Sequence, residues 1–172
     1  MHCGKKAACA TKGSFANQRN RRGRQVGRVL ATHYGDIVVE RLFGDTTQLT
    51  TALRPLVQAA EQTLALEAAQ RQRTLWRIDA GGGSVAEVNW ILSRGYHVHC
   101  KDYSGTRAQT LAERVTQWVD DPRIPERQAG WVTVAPTASS RPVGRVAVRC
   151  RKKNGHWGVG VLISTLSPHE VI

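Results

Sequence analysis

The sequence predicts an α/β fold in which strands alternate with covering helices and the C-terminal part is rich in strands. Three patterns predict it. Short β-branched runs bounded by glycine recur along the chain and read as strands. Between them apolar residues repeat at i, i+3, i+4 and i+7, the period of a helix with one buried face. After about Gly130 that helical period disappears. The order is β-β-α-β-α-β-α followed by strands, the alternation expected of an α/β protein. With 172 residues, 41% of them hydrophobic, the chain can build a packed interior.

Residues 1–28 hold Lys5, Lys6, Lys12, Arg19, Arg21, Arg22, Arg24 and Arg28, and no acid. Glycines at 4, 13, 23 and 27 loosen this stretch, so it is expected to be a basic, flexible segment. The core elements fall within residues 24–129. Gln25–Leu30 and Asp36–Phe43 are short, β-branched and bounded by Gly35 and Gly44, which predicts an antiparallel pair. Leu49, Ala52, Leu53, Leu56, Val57, Ala60 and Leu64 share one helical face. Proline costs ~3 kcal/mol in a helix interior. The helix is therefore expected to start near Thr51, with Pro55 in its first turns. Thr74–Asp79 is a compact apolar strand ended by a run of Gly81, Gly82 and Gly83. Ser84 and Glu87 then form the two ends of a capping box, with Val85, Val88 and Leu92 as the buried stripe and Gly95 as the stop. Tyr96–Lys101 alternates as a strand. Ser104 caps a further helix whose face carries Ala108, Leu111, Ala112, Val115, Trp118 and Val119, stopped by Asp120-Asp121-Pro122. Residues 130–166 read as strands at Trp131–Val134, Val143–Cys150 and His156–Thr165, the last two joined by a Lys153-Asn154-Gly155 turn. Residues 167–172 form a tail.

Lysine and arginine outnumber aspartate and glutamate by 25 to 13, a net charge of +12. Such an excess points to a polyanion, nucleic acid before an anionic membrane surface. No apolar run reaches the ~18–20 residues of a membrane helix, and the basic N-terminus has no apolar signal core. The four cysteines, at 3, 9, 100 and 150, are not in C-x-x-C spacing and have no histidine pair at zinc-ligand spacing. They are expected as free thiols in a reducing cytoplasm.

Asp79 is the most informative polar residue. It ends a buried strand and faces a glycine turn that opens a capped helix. In open α/β sheets functional groups collect beyond the carboxyl ends of the strands. A carboxylate there either holds a hard divalent cation or caps the turn. The glycine run lacks a Walker lysine and the G-x-G-x-x-G spacing, so it reads as a tight turn rather than a nucleotide cradle. His97 and His99 share one strand face, which suits either metal binding or packing. Lys101, Arg107, Arg151, Lys152 and Lys153 add cations beyond the N-terminal block, and the Lys152-Lys153 turn projects charge toward phosphate or solvent.

Several stretches together resemble the DDE transposases of bacterial insertion sequences. They are Thr11-Lys12-Gly13-Ser14-Phe15, Arg22-Gly23-Arg24-Gln25, Tyr34 to Val39 and Arg41-Leu42-Phe43-Gly44. To these add Gln70 to Asp79 with its glycine run, Asn89-Trp90-Ile91-Leu92-Ser93-Arg94-Gly95-Tyr96, Lys101 and Arg107-Ala108. The resemblance implies an RNase H-like mixed sheet with flanking helices. It implies two magnesium or manganese ions on three carboxylates, acting at a DNA phosphate. Asp79 matches the second carboxylate, and so stands as the catalytic and metal-binding candidate. Lys12, Arg19, Arg21, Arg22, Arg24, Lys101, Arg107, Lys152 and Lys153 are the DNA-binding candidates. The partners implied are transposon ends and target DNA, with dimerisation in an intact enzyme and no membrane. Residues 130–166 resemble the β insertion of such enzymes.

The pattern departs at both ends. The first aspartate belongs on an apolar strand upstream of Lys12-Gly13, where residues 1–10 hold no acid and read as no strand. The last acid belongs on a helix after the β insertion, and Glu170, just after Pro168, does not fit. The expectation is a core truncated at both ends and incomplete, with a gap or open edge where the first strand belongs. Such a chain is expected neither to cut nor to join DNA by itself. A basic DNA- or RNA-binding module without chemistry is the alternative. A metal-dependent nuclease is a third, requiring Asp36, Glu40 or Asp102 to converge on Asp79.

Overall fold

The computed structural model describes residues 24–44, 47–78, 83–102, 104–133 and 139–167, together with the backbone of three strands nearer the N-terminus. Those strands are β1 (His2–Ala8), β2 (Phe15–Ala16) and β3 (Arg21–Arg22). Then come β4 (Arg24–Ala31), β5 (Asp36–Gly44), α1 (Leu49–Thr63), α2 (Ala68–Arg71) and β6 (Leu75–Ile78). α3 (Val85–Ser93), β7 (His97–Lys101) and α4 (Gly105–Ala112) follow. β8 (Val119–Asp120), β9 (Arg127–Trp131), β10 (Gly144–Arg151) and β11 (Trp157–Ser164) complete the order. Among the described residues nine strands form one mixed sheet in the order β5-β4-β1-β6-β7-β11-β10-β9-β8. The fold is therefore α/β, as the alternation predicts.

β1 corrects the expectation of a gap. Residues 2–8, anticipated as loose, run antiparallel to β4 and parallel to β6, so that Cys3 lies in register with both Val29 and Ile78. The segment His-Cys-Gly-Lys-Lys-Ala-Ala has no β-branched residue to mark it as a strand. Its backbone pairing on both sides is what makes it one. The order β5-β4-β1-β6-β7 thus has no opening at its centre.

α1, α3 and α4 pack on one side of this sheet. Cys100 stands in register with Ile78 on one side and Ile163 on the other, and these three join Val29, Leu53, Leu56, Val57, Trp76, Ile91 and Val98 in the larger core. Val161 shares the face of Ile163, two residues on, and pairs with Ala147. Both contribute to the second core, beneath Ala108 and Leu111 of α4. The stripe of α1 is as the period predicts, except that Leu64 is exposed. α1 begins at Leu49, two residues before the expected start, and holds Pro55 inside.

Ser84 caps α3 by accepting from the Glu87 N–H at 3.3 Å. Glu87 does not reach back to complete the box. Its carboxylate turns to Arg54 of α1, which donates from Nε at 3.2 Å and Nη2 at 3.1 Å. Gly95 ends the helix at φ +89°, a conformation that favours glycine. Ser104 caps α4 as expected. The helix stops at Ala112 rather than near Val119. Val115 and Trp118 still pack on the second core, so their spacing reports burial rather than helix.

The first strand expected in the 130–166 segment lies earlier than its apolar run, at Arg127–Trp131, and Val134 falls outside the described residues. β11 hydrogen-bonds to β7 through Leu162–Ser164 and to β10 along its whole length. The segment therefore extends the central sheet. The turn between β10 and β11 closes as predicted: Gly155 has φ +79° and its N–H donates to the Lys152 carbonyl at 2.8 Å.

Candidate nucleic-acid interface

β1, β6 and β7 run parallel, so their carboxyl ends point to one edge of the sheet. Asp79 follows directly after β6 in the chain and itself lies outside the described residues. Lys101 and Asp102 follow Cys100 at the same edge. The loop leaving β6 presses against them: a Cβ on Gly83 would stand 1.8 Å from the Lys101 carbonyl oxygen. Glycine at 83 is thus required by close approach, while Gly81 and Gly82 lie outside the described residues.

Asp102 is buried, 4% exposed. The Ser104 N–H donates to its Oδ1 at 3.0 Å, Arg107 Nε donates to Oδ2 at 2.7 Å, and Arg107 Nη2 also donates to Oδ1. The hydrogen bonds to Asp102 raise the Arg107 pKa. Arg145 is buried nearby, where desolvation lowers its pKa against the pull of Asp102. A carboxylate held by a forked guanidinium and a backbone N–H has few lone pairs left for a cation. Asp36 and Glu40 lie on β5, three strand spacings or about 14 Å from β6. Carboxylates so far from the end of β6 do not converge there. Glu40 instead accepts from Arg28 Nε at 2.8 Å. Among the described acids, Asp36 and Glu40 therefore stand on another part of the sheet from Asp102, which Arg107 already holds. Among the described residues no three of His, Cys, Asp and Glu group to hold a metal.

Each histidine of the pair makes a side-chain contact through Nδ1. His97 Nδ1 lies 3.0 Å from Thr165 Oγ1, and His99 Nδ1 lies 3.1 Å from Ser164 Oγ. Burial lowers the His99 pKa and Arg77 adds to the effect. Cys100 is buried and its thiol is pushed up to about 12 by burial and by Asp102, while Cys150 is an exposed free thiol.

Of the DNA-binding candidates, Lys12 and Arg19 lie outside the described residues, and Arg21 and Arg22 are placed only as the backbone of β3. Arg24 is exposed at the start of β4. Arg107 is committed to Asp102, which gives it a structural role. Lys101 and Lys152 come together in an open groove of about 1150 Å³, and Lys153 is exposed on the adjoining turn. The groove adds Arg123 to the lysines, and Arg127, which is paired with Asp121.

Sequence reasoning also missed an aromatic and cationic stack that joins the same hairpin to Trp118. The Arg149 guanidinium lies 4.1 Å from the centroid of Trp118 and 4.6 Å from that of Trp157, with Arg151 5.9 Å from Trp157. The turn at Asn154-Gly155 contains the signal for part of it, since that hairpin register sets Arg151 opposite Trp157. Among the described residues no helix is long and apolar enough to cross a membrane. No protein-family model matches the sequence, and no curated protein matches it.

Proposed function

We propose that this chain is a DNA-binding unit of the DDE transposase type on an RNase H-like fold, and that by itself it holds DNA without cutting it. The observation that carries this reading is the central sheet. β5, β4 and β1 are successively antiparallel, β6 and β7 then run parallel to β1, and Asp79 follows β6. An acid at the carboxyl end of a central parallel strand suits chemistry on a phosphodiester. The net charge of +12 suits a DNA partner. The family reaction is metal-dependent DNA cleavage and strand transfer, with magnesium or manganese stabilising charge at the phosphate. β1 carries no acid in residues 2–8 and Asp102 is bound by Arg107, so Asp79 is the one carboxylate matched to the three that the family reaction uses. A lone carboxylate does not hold two metals about 4 Å apart.

The test is a plasmid-nicking assay with magnesium or manganese, run beside a DNA-binding measurement on the wild type and Asp79→Ala. Binding without nicking, unchanged by the substitution, is the expected result. Magnesium-dependent nicking that disappears in Asp79→Ala would show that the chain is a complete enzyme. The engagement of Asp102 by Arg107 also favours a second reading, a basic DNA- or RNA-binding module unrelated to transposition. That reading predicts equal affinity for all sequences and for RNA. The transposase reading predicts preference for particular DNA ends.

A further inference from the structure

We propose that the groove over the first half of β11 is a track for one single DNA strand, with Lys101 and Lys152 as its phosphate-binding residues. The inference rests on the DNA-binding reading above and assigns it a place. Gly158 and Gly160 lie on one face of β11, two residues or about 6.8 Å apart. A Cβ on Gly160 would stand 3.2 Å from Lys101 Cε and 3.8 Å from its Nζ. A Cβ on Gly158 would stand 2.8 Å from Lys152 Cε. Each lysine stem therefore lies across a glycine, one arriving from β7 and the other from the hairpin turn. The missing side chains are what let both ammonium groups lie over a single strand of the sheet.

The surroundings favour an anionic occupant. Both acids lining the groove are engaged, Asp121 by Arg127 Nε at 2.6 Å and Asp120 by Gln128 Nε2 at 2.8 Å. Among the described residues no carboxylate forms an ion pair with the side chain of Lys101, Lys152 or Arg123. The sheet that floors the groove, from β11 to β8, is three strand spacings, about 14 Å across, a width that one DNA strand covers. Cations along a groove that tracks one backbone are the common device of single-strand binding. The groove opens beside the carboxyl end of β7, so a strand seated in it passes the edge where Asp79 follows β6.

Fluorescence anisotropy with a labelled DNA oligonucleotide, single-stranded and annealed, over about 50 to 200 mM salt tests the assignment. Lys101→Ala and Lys152→Ala are each expected to lower the slope of log affinity against log salt by about 0.7 on the single strand. Gly158→Val and Gly160→Val leave the charge unchanged and are expected to weaken single-strand binding severalfold by displacing the lysines. Arg41→Ala, on the exposed far edge of the sheet, is the control for general charge. If the lysine variants change single-strand binding no more than Arg41→Ala does, or act on the duplex alone, the groove is not the track although DNA binding stands. If the wild type shows no salt-dependent DNA binding, the reading beneath the proposal fails with it. Circular dichroism confirms that each variant is folded, and the exposed lysine variants decide the question by themselves.

Discussion

Glu61 shows how single residues join the helices to the sheet. Its side chain is 10% exposed and accepts hydrogen bonds from Arg94 Nε and Tyr96 Oη, both at 2.8 Å, with Arg71 Nη1 at 3.8 Å. Burial pushes the Glu61 pKa up, but the hydrogen bonds from Arg94 and Tyr96 outweigh it and hold the carboxyl below its ordinary value. A depressed native pKa stabilises the fold above the unfolded value, about 4.3 for glutamate, and that stability is lost as pH falls through the native value. Glu61→Gln is therefore expected to lower stability at neutral pH by about 2–3 kcal/mol, since charge-assisted bonds are lost. It is also expected to flatten the loss below about pH 4, which urea unfolding at a series of pH values measures. Tyr96→Phe removes one donor and is expected to cost about 1 kcal/mol by the same measurement. This network was not legible in the sequence. Arg94 and Tyr96 lie 33 and 35 residues from Glu61, and only the packing of α1 against α3 and the start of β7 brings them to it. Glu87 gives the same lesson, because the sequence shows its local option, the capping box, and not the Arg54 partner on another helix.

At the scale of elements, periodicity was a good guide wherever burial and secondary structure coincide. The faces of α1 and α3 and the hairpins β4–β5 and β10–β11 could all be read in advance. The end of α4 could not, because Val115 and Trp118 reach the same core without helix. Nor could the fit of Gly83, which depends on a strand nearly twenty residues further along the chain. Two glycine substitutions should separate close approach from conformational freedom. Gly83→Ala drives a Cβ into the Lys101 backbone and is expected to lose about 2–3 kcal/mol, as overpacking does, and to disturb the loop that carries Asp79. A Cβ on Gly105, in the first turn of α4, meets nothing within 4 Å, so Gly105→Ala is expected to gain about 0.5 kcal/mol by restricting the unfolded chain. Equal effects in thermal melts would mean that the β6–α3 loop does not rest on β7.

The sheet as a whole depends on its least strand-like member. β1 is in register with β4 over seven residue pairs and with β6 over two, and it stands between hairpin β4–β5 and all that follows. Without it, β4 and β6 would each present an unpaired edge in the middle of the molecule, against which α1 still packs. Buried backbone groups left without partners cost on the order of 1–3 kcal/mol each. The seven pairs of β1 with β4 thus exceed what a small domain can lose, since its whole stability is about 5–15 kcal/mol. Deleting residues 2–8 is expected to abolish cooperative unfolding and to produce aggregation through the opened edges, seen by calorimetry and size-exclusion chromatography. A milder change makes the same point. Cys3 is in register with strands on both sides, so wherever its N–H points it faces a partner. Cys3→Pro is then expected to lose about 3 kcal/mol or more, because proline has no N–H and is excluded from central strands. Cys3→Val, which keeps the N–H and favours a strand, is expected to stay near wild type. If the deleted chain unfolds as cooperatively as the intact one, β4 and β6 do not need a strand between them, and the sheet order that supports the functional reading falls with β1.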